Sequence, residues 1–378
     1  MSGIYIHIPF CKQACYYCNF HFSTLLNYKD EMVIALIDEI KLSTSLYKDY
    51  PKINTIYFGG GTPSLLTSNE IKMLLKTVKQ FYPTDDNAEV TLEANPDDIN
   101  QNKLREWKAA GINRLSVGIQ SFKEEDLQWM NRAHSAEQAL QCIGLIHDEG
   151  FTNFSIDLIY GTPILKDEDW KRNIETVIVL KVPHVSCYAL TVEPSTALQK
   201  MIQQKKKEDV DPEKQAEHFL LLINLMREAG YEHYEISNFA LPGYRSLHNS
   251  SYWMGKPYIG IGPSAHSYFK NIRRWNVSNN ALYMKSIENN LLQFEEENLS
   301  PTQQLNEYIM TSLRTSEGLD LLLVKEKFGE DKSLMLQNES AGFLANQKLN
   351  LINHKLILTT EGKLFADGIA ADLFFSPV

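Results

Sequence analysis

Along the first 240 positions the apolar residues switch repeatedly between two spacings. Short β-rich runs (Ile4–His7, Asn54–Phe58, Glu89–Glu93, Arg114–Gly118, Asn153–Leu158 and His184–Leu190) alternate with longer stretches of helical period. The helical stretches are Lys29–Tyr47, Asn69–Phe81, Gln101–Ala110, Ser135–Glu149, Glu168–Lys181 and Pro212–Ala229. Gly111, Gly150 and Gly230 each close a helical stretch just before a β-rich one, where a left-handed C′ residue belongs. The last of these β-rich runs is a further strand candidate, Glu232–Ile236. Alternating βα units predict an α/β fold, a parallel sheet covered by helices. The pattern fits a partly closed barrel and an open doubly wound sheet equally well. From about Leu299 the alternation stops. Three helices, a hairpin-like NLINHKLIL and an amphipathic helix Glu361–Phe374 predict a small α+β, winged-helix-like unit. The expected division is 1–240, a connecting region 241–298, and 299–378.

Composition narrows the functional classes. The 378 residues carry 37 Lys plus Arg against 47 Asp plus Glu, a net charge of −10. The last 80 residues, with seven basic and ten acidic side chains, are negative as well. This balance argues against nucleic acid and anionic membranes as partners. No apolar run approaches the roughly 18 residues of a spanning helix, so stable membrane insertion is not expected. No basic-then-apolar leader precedes Ile4. Residues 205–209, KKKED, read as a solvated charge run.

Five cysteines, an odd number, do not look like a disulfide framework. Three stand within eight residues, as Cys11-Lys-Gln-Ala-Cys15-Tyr-Tyr-Cys18, directly after the first predicted strand. Clustered thiols fit a reducing compartment and a metal site. Three thiolates suit an iron–sulfur cube with one iron left open for a ligand. Zinc completed by His21 and a set of structural thiols are the competing readings. Cys142, in the apolar QALQCIGLI, and Cys187, on the sixth strand, read as core residues.

Gly59-Gly60-Gly61-Thr62-Pro63 follows the second strand, where missing Cβ atoms let backbone polar groups approach a ligand. Polar residues then stand at or near successive strand ends: Glu93, Gln120 with Arg132 twelve positions later, and Asp157. A row of such groups on one sheet edge suits a ligand with an amine, a carboxylate and ribose hydroxyls better than it suits capping.

C-x3-C-x2-C after a first strand, followed by an early glycine motif, resembles the radical S-adenosylmethionine (SAM) superfamily. The words HIPFC and YYCNF narrow the resemblance to the oxygen-independent coproporphyrinogen III oxidase-like family. It implies a partial (β/α)6 barrel. It also implies a 4Fe-4S cluster on Cys11, Cys15 and Cys18, its open iron chelated by the methionyl group of SAM. SAM would be bound by Gly60, Gly61, Thr62, Glu93, Gln120, Arg132 and Asp157, with Tyr5 and Tyr17 packing beside it.

The chain departs from the oxidase at two places. The oxidase carries a further cysteine two residues after the third; here that position is Phe20. Residues 248–253 read His-Asn-Ser-Ser-Tyr-Trp, after YEISNFA and before GIGPSAHS. These words resemble the HemW-type haem chaperone subgroup. The resemblance implies that haem contacts His248, Asn249, Tyr252 and Trp253. An imidazole suits haem iron and the aromatics suit a macrocycle. His266, Cys187, Cys142 and tyrosines are alternative axial ligands. A cytoplasmic haem carrier is therefore expected, passing haem to an acceptor protein such as a respiratory one, with a flavodoxin or ferredoxin as electron donor. The alternatives are the oxidase itself, decarboxylating propionates to vinyls, and a radical SAM enzyme on another substrate.

Overall fold

The computed structural model describes residues 1–376; the last two positions of the expected 299–378 unit lie outside the described residues. Strands β1 (Gly3–Ile8), β2 (Ile53–Gly60), β3 (Thr84–Ala94), β4 (Arg114–Gln120), β5 (Phe154–Tyr160) and β6 (His184–Ala189) pair in sequence order, all parallel. β1 and β6 are not neighbours, so the (β/α)6 segment is a barrel left open on one side. Ile4, Ile6 and Ile8 on β1 enter the core shared with the helices. Tyr5 and His7 therefore face the opposite, concave side, because strand side chains alternate.

Local signals explain the helices between these strands. Thr67 and Ser135 begin Ser68–Phe81 and Ala136–Asp148 with capping boxes closed by Glu70 and Gln138. Gly111, Gly150 and Gly230 adopt φ of 108°, 71° and 83° after their helices, the left-handed geometry the pattern implied.

The sheet continues beyond β6 through two antiparallel strands, β7 (Glu232–Glu235) at the edge and β8 (Asn238–Ala240) against β6. The other edge is larger than the sequence pattern indicated. Residues 241–298, expected as a connection, form the helices Leu247–Trp253 and Asn280–Glu288 and four strands. β9 (Tyr258–Ile261) pairs in parallel with β1, and β10 (His266–Phe269), β11 (Ile272–Asn276) and β12 (Phe294–Asn298) follow antiparallel. IRRWN and FEEEN look too charged for strands in isolation. Their charges pair across the ladder, Arg273 with Glu297 at 3.3 Å and Arg274 with Glu296 at 2.6 Å.

Residues from Leu305 to Leu373 have a separate apolar core. Four helices between Pro301 and Ala345 surround a small sheet of β13 (Leu319–Asp320), β15 (Lys355–Leu358) and β14 (Leu349–Ile352). The expected final helix starts late: Gly362–Phe365 is a 3-10 turn and the α-helix is Ala366–Asp372. Arg314 ties this unit to the main sheet by an ion pair with buried Glu235, at 2.9 Å. Among the described residues no helix is long and apolar enough to cross a membrane.

Candidate cluster and cofactor site

The cysteines occupy the loop after β1. Cys11 N–H donates to Ser23 O at 3.0 Å and Tyr16 N–H to Met130 O at 3.2 Å; Leu198 N–H donates to Tyr16 O at 2.8 Å. Asn131 donates from Nδ2 to Ala14 O at 2.8 Å and accepts from Gln13 at its backbone oxygen. Tyr16 and Tyr17 pack on a small apolar cluster of Leu127, Met130, Ile159, Leu190 and Leu198. The stretch 9–28, which has neither helix nor strand, is thus held at both its backbone and its rings.

The loop and the strand ends enclose a cavity of about 370 Å³. Cys11, Cys15, Cys18, Tyr17, Gly60, Gly61, Thr62, Glu93, Gln120, Arg132 and Asp157 all line it. Tyr5 lies one layer below, its hydroxyl against His7 Nδ1 at 3.0 Å and its ring stacked on Tyr57 at 6.2 Å. The glycines are demanded by packing as well as by a ligand. A Cβ on Gly61 would stand 2.4 Å from Phe10 O, and one on Gly60, where φ is 106°, 2.5 Å from His7 Nδ1. Strand β2 can slide under the cysteine loop only if these side chains are absent.

The cavity divides by charge. Glu93 accepts from Tyr57 Oη at 2.8 Å and from Gly60 N–H at 3.1 Å. Burial pushes Glu93 up to about 8 and Asp157 up to about 6, the latter held back in part by Arg132 and Arg114. On the other side Arg132 donates to Asn95 Oδ1 at 2.9 Å, Gly118 O at 2.8 Å and Cys15 Sγ at 3.2 Å. Its buried Nε has no partner among the described residues. Buried carboxylates facing an incompletely paired guanidinium complement the ammonium and carboxylate of an amino acid. Gln120 is held at φ 65°, an uncommon conformation for a non-glycine residue, and it turns β4 into the cavity wall.

The donor set fits an iron–sulfur cluster on three thiols. Arg132 Nη1 stands 3.2 Å from Cys15 Sγ, so a guanidinium borders the place where a cluster's negative charge would lie. A single zinc with ligands at about 2.0–2.3 Å requires them to converge. His21 instead bonds Asn280 Oδ1 through Nε2 at 2.7 Å, away from the cavity lining. Cys142 and Cys187 are 1% exposed and belong to the main core.

Sequence reasoning missed Asn95 and Tyr57, which orient Arg132 and Glu93. Asn95 stands in the word TLEANPDD beside Glu93; Tyr57, two residues before the glycines, carries no local signal. Phe20, 68% exposed, forms part of the cavity rim.

The HNSSYW segment does not sit as expected. It forms the helix Leu247–Trp253, docked by its N-terminus on Glu89, whose carboxylate accepts from Leu247 and His248 N–H at 3.1 and 3.0 Å. His248 is 1% exposed; Nδ1 pairs with Thr55 Oγ1 at 2.8 Å and Nε2 with Tyr252 Oη at 2.9 Å. Its ring stacks on Tyr57 at 4.9 Å. Neither nitrogen is open to an iron, so axial ligation by His248 does not fit this arrangement. Trp253 is half-buried under Arg314, 5.0 Å from the ring centroid, and Asn249 is half-buried at the helix start.

A parallel (β/α)6 sheet with three loop cysteines and an amino-acid-shaped charge pattern at its strand ends defines a radical SAM protein. Residues 5–177 match the model of the Radical SAM superfamily, and 299–365 that of the HemN C-terminal domain. The Escherichia coli coproporphyrinogen III oxidase HemN shares the fold, with a TM-score of 0.84 at 23% identity over 99% of this chain and 90% of that one. The heme chaperone HemW of Bacillus subtilis is 31% identical over 92% of this chain and 96% of its own length. The Mycobacterium tuberculosis HemW is 33% identical, covering 98% and 94%. The chain belongs to the heme chaperone HemW family of radical SAM proteins.

Proposed function

We propose that this chain is a haem chaperone, binding haem on a radical SAM scaffold and passing it to an acceptor haem protein. The observation that carries this is similarity to heme chaperones along almost the full length of both chains, the sheet extension and C-terminal unit included. Phe20, at the position of the oxidase's extra cysteine, favours carrier over oxidase.

On this reading Cys11, Cys15 and Cys18 would hold a 4Fe-4S cluster, which when loaded supplies an electron able to cleave SAM reductively. Glu93 and Asp157 would receive the ammonium and ribose hydroxyls, Arg132 the carboxylate, and Gly60, Gly61, Thr62 and Gln120 the remaining polar edges. Tyr57 holds the Glu93 carboxylate in place from below, with Tyr5 stacked behind it, and Tyr17 closes the side. Five free thiols support a reducing, cytoplasmic setting. A respiratory haem protein as acceptor and a flavodoxin or ferredoxin as donor complete the proposal.

The test is paired. The cluster-loaded protein is titrated with haem, and in parallel is given SAM, reductant and coproporphyrinogen III. Saturable haem binding without conversion is expected. Conversion to protoporphyrinogen, or no haem binding, overturns the reading.

A further inference from the structure

If haem is the cargo, an iron ligand must be reachable, and the enclosure of His248 removes the obvious one. Of the ten histidines, eight have a ring nitrogen hydrogen-bonded inside the protein. Among the described residues only His266 and His354 make no such bond. His354 stands at the exposed tip of the β14–β15 turn, with no aromatic ring packed on it.

The surroundings of His266 are different. It is exposed on β10, directly opposite Trp275 on β11, and the two rings stack at 6.2 Å and 26°. Directly opposed residues share a sheet face, so Tyr268, opposite Tyr258, extends that face toward β1. Tyr258 and Tyr268 are 6.3 Å apart, and Tyr252 of the HNSSYW helix meets Tyr258 at 4.6 Å. Because Tyr258 and Gly260 register with Gly3 and Tyr5, this is the concave, cavity-bearing face continued past β1. The open side of the barrel thus ends in a half-exposed aromatic shelf with one free imidazole.

We propose that haem seats on this shelf, with His266 as its axial ligand. The inference rests on the haem-chaperone reading. Trp275 holds the imidazole plane, while Tyr268 and Tyr258 offer apolar area to the macrocycle. Partial burial and nearby Arg273 lower the pKa of His266, keeping the ring in its neutral, metal-binding form. Arg273 is itself taken by Glu297 and Glu307. Arg273 is therefore not a free cation for a propionate. The HNSSYW helix supports the shelf from within through Tyr252.

The experiment titrates haem into the full-length, cluster-loaded protein and follows the Soret band. His266→Gly is expected to weaken binding by about tenfold or more and shift the band, with iron and acid-labile sulfide unchanged. Added imidazole is expected to restore the wild-type band in His266→Gly, and His354→Ala to titrate as wild type. The inference is overturned if His266→Gly keeps the wild-type band and affinity, or if His354→Ala shows the same loss. If the wild type binds no haem, the chaperone reading itself falls.

Discussion

Single residues here carry roles that their neighbours in sequence do not disclose. Cys11, Cys15 and Cys18 were legible because a metal-binding loop is a local word. Replacing any one by Ala is expected to abolish stable iron loading, read as iron and sulfide per chain with the circular dichroism of the fold retained. Glu93 is the next most informative residue. A charge-assisted hydrogen bond contributes about 1.5–3 kcal/mol, so Glu93→Gln should weaken SAM binding by about tenfold or more, measured by calorimetry on cluster-loaded protein. His248 teaches the opposite lesson. Its word reads as a haem contact, yet its partner Thr55 lies 193 residues away in the chain. His248→Ala leaves a cavity and unpairs Thr55 and Tyr252. It is expected to lower stability by about 2–4 kcal/mol in thermal or denaturant melts, while haem still titrates as in wild type. Loss of haem binding at full stability would return His248 to the ligand role.

At the scale of elements, the βα alternation was readable because each strand is buried on both faces and each helix on one stripe. Predicted boundaries missed by a few residues where a strand end curls into the cavity, as at Gln120 and Gly60. The four strands β9–β12 were not readable. They are four or five residues long, and the Arg side chains of β11 are neutralised only in the fold, by Glu296 and Glu297 of β12 and by Glu307 of the next helix. The cysteine loop has a few hydrogen bonds of its own, such as Cys11 N–H to Ser23 O, and is otherwise held by contacts with distant residues. Asn131 supplies two of those contacts at φ 59°. Asn131→Ala is expected to hasten cluster loss to a chelator several-fold while the melting temperature falls only slightly. An unchanged loss rate would show that the aromatic packing of Tyr16 and Tyr17 suffices.

For the whole molecule, the question is what joins the barrel to its extension. Glu39, 4% exposed on the helix Lys29–Leu42, accepts from Gly262 N–H at 2.7 Å, Asn276 Nδ2 at 2.6 Å and Tyr283 Oη at 2.5 Å. Burial raises its pKa from the usual 4.5 to about 7. Between these values the folded state binds the proton and the unfolded state does not, so this contribution is full below 4.5 and is lost as pH rises through about 7. The loss is on the order of 3 kcal/mol. Glu39→Gln should therefore gain stability relative to wild type between pH 5 and pH 8, on the order of that amount, in parallel denaturant titrations. A difference that does not change with pH would show Glu39 to be ionised throughout.

The sequence by itself determined the α/β class, the position of the cluster loop and most of the polar residues around the cavity. These follow from periodicity and from short words, which are local properties of the chain. Only the tertiary structure decided which histidine is free. Whether an imidazole is a core residue or an open ligand depends on what the tertiary fold places against it: Thr55 and Tyr57 enclose His248, while exposed His266 is backed by Trp275 on the paired strand. That information lies in the pairing of strands far apart in the chain, where no local pattern can hold it.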